Sequence, residues 1–127
     1  MIKNFLIINF IGKNDKIGLK VDNNFFIHDF NFKTRNNDQL IISILNLAKK
    51  HKVNIDSDFS ILVNFGPGSF SSMRISLAVA KGIRISKNID IYGFKDSDLS
   101  QFNPANIEFL IKKKLIQKNL IKPLYLS

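Results

Sequence analysis

The 127-residue chain carries 19 lysines and arginines against 10 acidic residues, a formal net charge of +9, with 45% hydrophobic residues and no cysteine. That size fits one domain with a modest core, and that hydrophobic fraction excludes a compositionally disordered chain. The lack of cysteine excludes disulfides and thiolate metal sites and leads us to expect a cytoplasmic protein, and no apolar run approaches the roughly 20 residues that span a bilayer.

The chain opens on Ile2 to Phe10, nearly continuously apolar, which reads as a central first strand rather than a signal peptide: there is one lysine and no small-residue cleavage site. Gly12-Lys13-Asn14-Asp15 reads as a turn. Lys16 to Val21 alternates polar and apolar, Asp22-Asn23-Asn24 turns the chain, and Phe25 to Phe32 alternates again. These are hairpin signals, and they predict an antiparallel meander of three strands. A helix follows over about 38–51, with Asn36 or Asn37 as its cap. Phe59 to Asn64 is a fourth strand, a second helix extends beyond Ser69 through Ile83, and Ile89 to Gly93 is a short fifth strand. Asn103-Pro104 is a good helix opening, predicting a last helix over about 104–120. There is no internal repeat and no low-complexity linker. The whole of 1–127 therefore reads as a single α/β unit built on a five-stranded mixed sheet.

The helix over 38–51 is apolar round more than half its circumference. Leu40, Ile44, Leu47 and His51 form one stripe, Ile41, Leu45 and Ala48 a second, and Ile42 lies further round. One-sided burial needs a stripe only about 100° wide, so two apolar faces imply two neighbours. Both stripes serving an internal core is one solution; docking of Ile41, Ile42 and Leu45 on another subunit is the other.

Between the fourth strand and the second helix stands Gly66-Pro67-Gly68-Ser69-Phe70-Ser71-Ser72-Met73-Arg74-Ile75-Ser76-Leu77-Ala78-Val79-Ala80-Lys81-Gly82. The glycines and Pro67 make a tight turn, and Ser69 is placed to cap the helix. This run resembles the signature of the bacterial TsaB (YeaZ) family, G-P-G-S-F-T-G-L-R-I-G-L-A-x-A-K-G, at about a dozen of seventeen positions. The resemblance implies one lobe of the actin-like ATPase (sugar kinase/Hsp70/actin) fold. It also implies a non-catalytic subunit that supports a related catalytic subunit, TsaD, in making threonylcarbamoyladenosine beside the tRNA anticodon. On that reading the two helices pair with TsaD or with a second copy of the chain, and complete a docking surface for the ATPase TsaE. Ile41, Ile42, Leu45 and Lys49 would contribute from the first helix, Met73, Arg74, Leu77 and Lys81 from the second. Gly66, Pro67, Gly68 and Ser69 are assigned to the structural turn, with neither cofactor nor metal.

After Gly93 the chain departs from the family, whose members continue into a second lobe. Pro123-Leu124-Tyr125-Leu126-Ser127 resembles the family's P-x-Y-L-R ending, as if the second lobe were lost internally. Asn9-Phe10 stands where the superfamily usually has an aspartate that positions a metal, and an amide lacks the anionic charge Mg²⁺ favours. The Gly66–Ser69 turn offers backbone N–H groups to a phosphate but is no Walker A loop, since no Gly-Lys-Ser/Thr follows at the required spacing. Hydrolytic chemistry finds little: His28 and His51 are the only histidines, and Ser69 has no triad legible around it. The basic charge gathers late, with Lys112, Lys113, Lys114, Lys118 and Lys122 facing no acid after Glu108. A solvated basic surface accounts for this, and so does a footprint for tRNA or an acidic partner. Two further readings stand beside the scaffold: an RNA-binding module using this segment, and a residual nucleotide-binding protein.

Overall fold

Strand β1 (Asn4–Asn9) is the axis of a mixed sheet. Its side chains alternate between two buried faces, Phe5 and Ile7 on one and Leu6 and Ile8 on the other, which is why its sequence shows no polar alternation. The computed structural model describes residues 2–30 and 37–118. Within these, β1 pairs antiparallel with β2 (Lys16–Val21), and β2 with β3 (Asn24–Asp29), the expected meander. On its other flank β1 pairs parallel with β4 (Phe59–Asn64), and β4 with β5 (Asp90–Phe94). Helix α1 (Asn37–Lys50) connects β3 to β4, and α2 (Phe70–Lys87) connects β4 to β5. A 3-10 turn over Asp96–Asp98 and helix α3 (Pro104–Lys112) follow.

The strand count is corrected from five to six. A short strand β6 (Gln117–Lys118) pairs antiparallel with β5, giving the order β3-β2-β1-β4-β5-β6. It exists because the last helix, expected over about 104–120, ends at Lys112. Lys114 takes a left-handed conformation (φ 56°), Leu115 N–H donates to Leu110 C=O, and Lys114 N–H donates to Ile111 C=O. This is the Schellman closure, here with a lysine where glycine is usual. The chain then leaves α3 extended along β5. Helix α1 closes in the same way through Lys52 (φ 55°), with Val53 N–H donating to Ala48 C=O.

Helices cover both faces of the sheet. Leu40, Ile44 and Leu47 of α1 join Met73, Leu77 and Ala80 of α2 over one face, against Leu6, Ile8, Ile61, Val63 and Ile91. Ile107 and Leu110 of α3 join Leu99 over the other, against Phe5, Ile7, Leu62 and Phe94. The suggested cap Asn36, the strand end near Phe32, Lys122 and the ending Pro123–Ser127 lie outside the described residues.

Candidate functional site

The turn from β4 into α2 sets the position of α2. Ser69 caps the helix, its hydroxyl accepting from Ser72 N–H at 3.2 Å. Ser69 N–H donates to Ile11 C=O at 2.8 Å, and Gly66 N–H to Asn64 Oδ1 at 2.9 Å. These donors are satisfied by the chain itself, so the turn holds α2 against the loop after β1. Gly68 is required by that contact: a Cβ there would lie 2.6 Å from Ile11 Cβ and 2.8 Å from Ile11 O. Gly68→Ala is therefore expected to destabilise the fold by about 2 kcal/mol, the range of a small overpacking change, measurable as a lower midpoint in urea.

A buried polar knot lies beside this turn, at the ends of the parallel strands. Asn64 Nδ2 donates to Asn9 Oδ1 at 2.6 Å and to Asp96 Oδ1 at 3.1 Å, and Asn9 Nδ2 donates to Asn14 C=O at 3.1 Å. Asp96 also lies 3.5 Å from Lys13 Nζ. Asp15 Oδ1 accepts from both Ile11 and Gly12 N–H, each at 3.0 Å, and so fixes the loop. Asn9, at the position discussed for a metal-binding aspartate, thus has both ends of its amide engaged. Among the described residues, no group of three histidines, cysteines or carboxylates converges. His51 stacks on Phe26 with ring centroids 3.5 Å apart, and His28 lies edge-on to Phe30.

The outer sides of α1 and α2 form the surface that the sequence points to. Ile42 is 51% exposed and Leu45 60%, both on α1, while Ile41 is half-buried and Lys49 exposed. On α2, Arg74 and Lys81 are exposed, with the Arg74 guanidinium 5.3 Å from the centre of the Phe70 ring. Met73 and Leu77 are placed otherwise: at 0% and 7% exposure they belong to the monomer's own core. The α2 surface consists instead of the adjacent stripe. Ser71, Arg74, Ile75, Ala78 and Val79 line an open groove of about 390 Å³. A second groove, about 620 Å³, runs from Leu45, Ala48 and Lys49 to Val53, Ile55 and Lys87 at the far end of α2. In the sequence Ile75, Ala78 and Val79 read as apolar, and Ala78, Ala80 and Gly82 as small enough for close backbone approach, but Ala80 is buried in the monomer's own core. Periodicity alone does not show that the Met73 stripe is enclosed, whereas Ile75 and Val79 are only partly buried at the core's edge and Ala78 is exposed.

Gly82 sits on this exposed part of α2, and a Cβ there would meet nothing within 4 Å. Gly82→Ala is expected to stabilise the isolated chain by about 0.5–1 kcal/mol, because alanine loses less backbone freedom in a helix. A raised midpoint in urea denaturation would register it.

The chain is similar in fold to two solved structures. It superposes on YeaZ from Pseudomonas aeruginosa with a TM-score of 0.71 at 15% sequence identity, over 89% of this chain and 50% of that one. The fold is that of YeaZ. A second solved structure, described as an uncharacterized protein with similarity to peptidase YEAZ from Pseudomonas aeruginosa, gives 0.70 at 17% identity over 77% of this chain and 45% of its own. The architecture is accordingly one lobe of the actin-like ATPase fold, and the chain spans about half the length of these two structures. No family model matches the sequence, and no curated protein matches it. Among the described residues, no helix is long and apolar enough to cross a membrane.

Proposed function

We propose that the chain is a non-catalytic scaffold subunit of the TsaB type, which pairs through α1 and α2 with a TsaD-like catalytic subunit in threonylcarbamoyladenosine modification of tRNA. The observation that carries this reading is the exposure of Ile42 and Leu45 on α1, together with an open groove on α2 lined by Ile75, Ala78 and Val79, on two helices of a YeaZ-like fold. Large aliphatic side chains held at half exposure on rigid helices, beside small residues that admit a second backbone, suit a helix-to-helix contact. Lys49, Arg74 and Lys81 give the same surface a basic rim, which favours a partner with acidic groups at matching positions. The same helices would serve a homodimer when the catalytic subunit is absent.

Support for a passive role comes from the strand ends. There the side chains of Asn9 and Asn64 bond one another, and the Gly66–Ser69 turn is filled by Ile11. In a peptidase reading Ser69 would act as nucleophile, but its hydroxyl accepts from its own helix, and both histidines pack against phenylalanines on β3 or just beyond it. The test is to mix the purified chain with its host's TsaD-like subunit and measure the mass of the product. A one-to-one complex is expected; two components that remain separate at micromolar concentration overturn the reading.

A further inference from the structure

We propose a second interaction surface on the opposite side of the sheet: the end of α3 with β5 and β6 binds single-stranded RNA through alternating lysines and aromatic rings. The proposal stands independently of pairing through α1 and α2, which cover the other face.

Helix α3 ends at Lys112 and its closing turn is formed by Lys113 and Lys114; all three are exposed, and no acidic residue follows Glu108 in the sequence. Among the described residues these three lysines make no ion pair, whereas the acids nearby are taken: Glu108 binds Lys20 at 2.7 Å and Asp90 lies 3.4 Å from Lys118. The local charge is therefore positive and uncompensated.

Two rings lie within this field. Phe109 is 50% exposed with Lys113 Nζ 5.8 Å from its centre, and Tyr92 is half-buried with Lys118 Nζ 5.9 Å from its centre. Tyr92 lines a groove of about 610 Å³ together with Ile2, Ile111 and Ile116 as its apolar floor and Lys112, Lys114 and the Lys20-paired Glu108, while Phe109 with Lys113 lies outside that lining on the same helix. Apolar floor, ring faces and ammonium groups at short intervals are what a strand of bases and phosphates requires: bases lie against the rings and floor, and phosphates meet the lysines. A membrane surface suits this shape poorly, because the apolar part is a concavity rather than a protruding face. An acidic peptide would use the lysines but leave the exposed ring of Phe109 without a role.

The test is fluorescence anisotropy of the full chain with a labelled, unstructured oligouridylate of about 12 nucleotides, long enough for one binding groove. Binding should weaken steeply with salt. The triple variant Lys112→Gln/Lys113→Gln/Lys114→Gln should reduce the slope of log K against log salt by about 2, since each phosphate contact on a single strand contributes about 0.7. Phe109→Ala should weaken binding about ten-fold with the slope unchanged, as expected for a lost stacking platform. A charge-matched control on the other side, Lys50→Gln/Lys52→Gln/Arg84→Gln, should leave the slope nearly as it was. Circular dichroism confirms that each variant is folded. The proposal is overturned if the folded chain does not bind RNA, or if the control set matches the α3 triple. It is equally overturned if phosphatidylglycerol vesicles or an acidic peptide bind this surface while RNA does not compete.

Discussion

Replacing Leu45 with aspartate is expected to leave the isolated chain folded and to abolish its pairing with a TsaD-like subunit. The side chain is 60% exposed in the monomer, so the change removes little of the chain's own packing. In the proposed interface the same position would be enclosed by apolar groups of the partner, and an ionised carboxylate there has nothing to replace its water. A loss of at least about 2 kcal/mol, roughly thirty-fold in affinity, is the size expected of a central interface residue. Co-purification and analytical ultracentrifugation of the mixture measure it. Met73→Ala supplies the contrast, since Met73 lies in the monomer core: it should lower stability by about 2–5 kcal/mol. Undiminished complex formation by the Leu45 variant would count against α1 as the contact.

The second large effect concerns the polar knot. Asn64 is fully buried and satisfies three other groups, the Asn9 and Asp96 side chains and the Gly66 N–H. Asn64→Ala strands those groups at the ends of the parallel strands, and each unsatisfied buried polar group costs about 1–3 kcal/mol. A destabilisation of about 3 kcal/mol is expected, a large share of the roughly 5–15 kcal/mol that holds a domain folded. Asn9→Ala disturbs fewer groups and should cost about half as much. Urea denaturation of the three proteins checks the ranking, and an Asn64 variant that loses under about 1 kcal/mol would mean that the knot contributes little.

Much of this architecture was legible because hydrophobic pattern follows burial. The unbroken apolar run of β1 reflects two covered faces, and the alternation in Lys16–Val21 and from Phe25 to Phe32 predicts the meander, whose third strand is Asn24–Asp29. Helix α1 lies within one residue of its expected limits. The end of α3 was not legible, because its stop depends on a left-handed lysine and no glycine or proline marks it. The outward stripe of α2 was not legible either: a helix apolar on most sides does not reveal which side meets the sheet. Met73 and Leu77, expected at the partner surface, lie in the monomer core, and Ile75, Ala78 and Val79 line the α2 groove. The polar knot was least visible of all. Its members lie 55 and 32 positions apart in the chain, and isolated asparagines and an aspartate have no period to follow.

The parallel pairing of β1 with β4 has a consequence during synthesis. Asn4 of β1 lies opposite Phe59 of β4, so the first strand must wait for more than fifty further residues before one of its flanks is covered. Contacts this distant in the chain form slowly, and an apolar strand with an open edge invites association with other nascent chains. The meander shields only the β2 side in that interval. A ribosome-bound fragment ending before β4 should therefore recruit holding chaperones, and should release them once β4 has emerged.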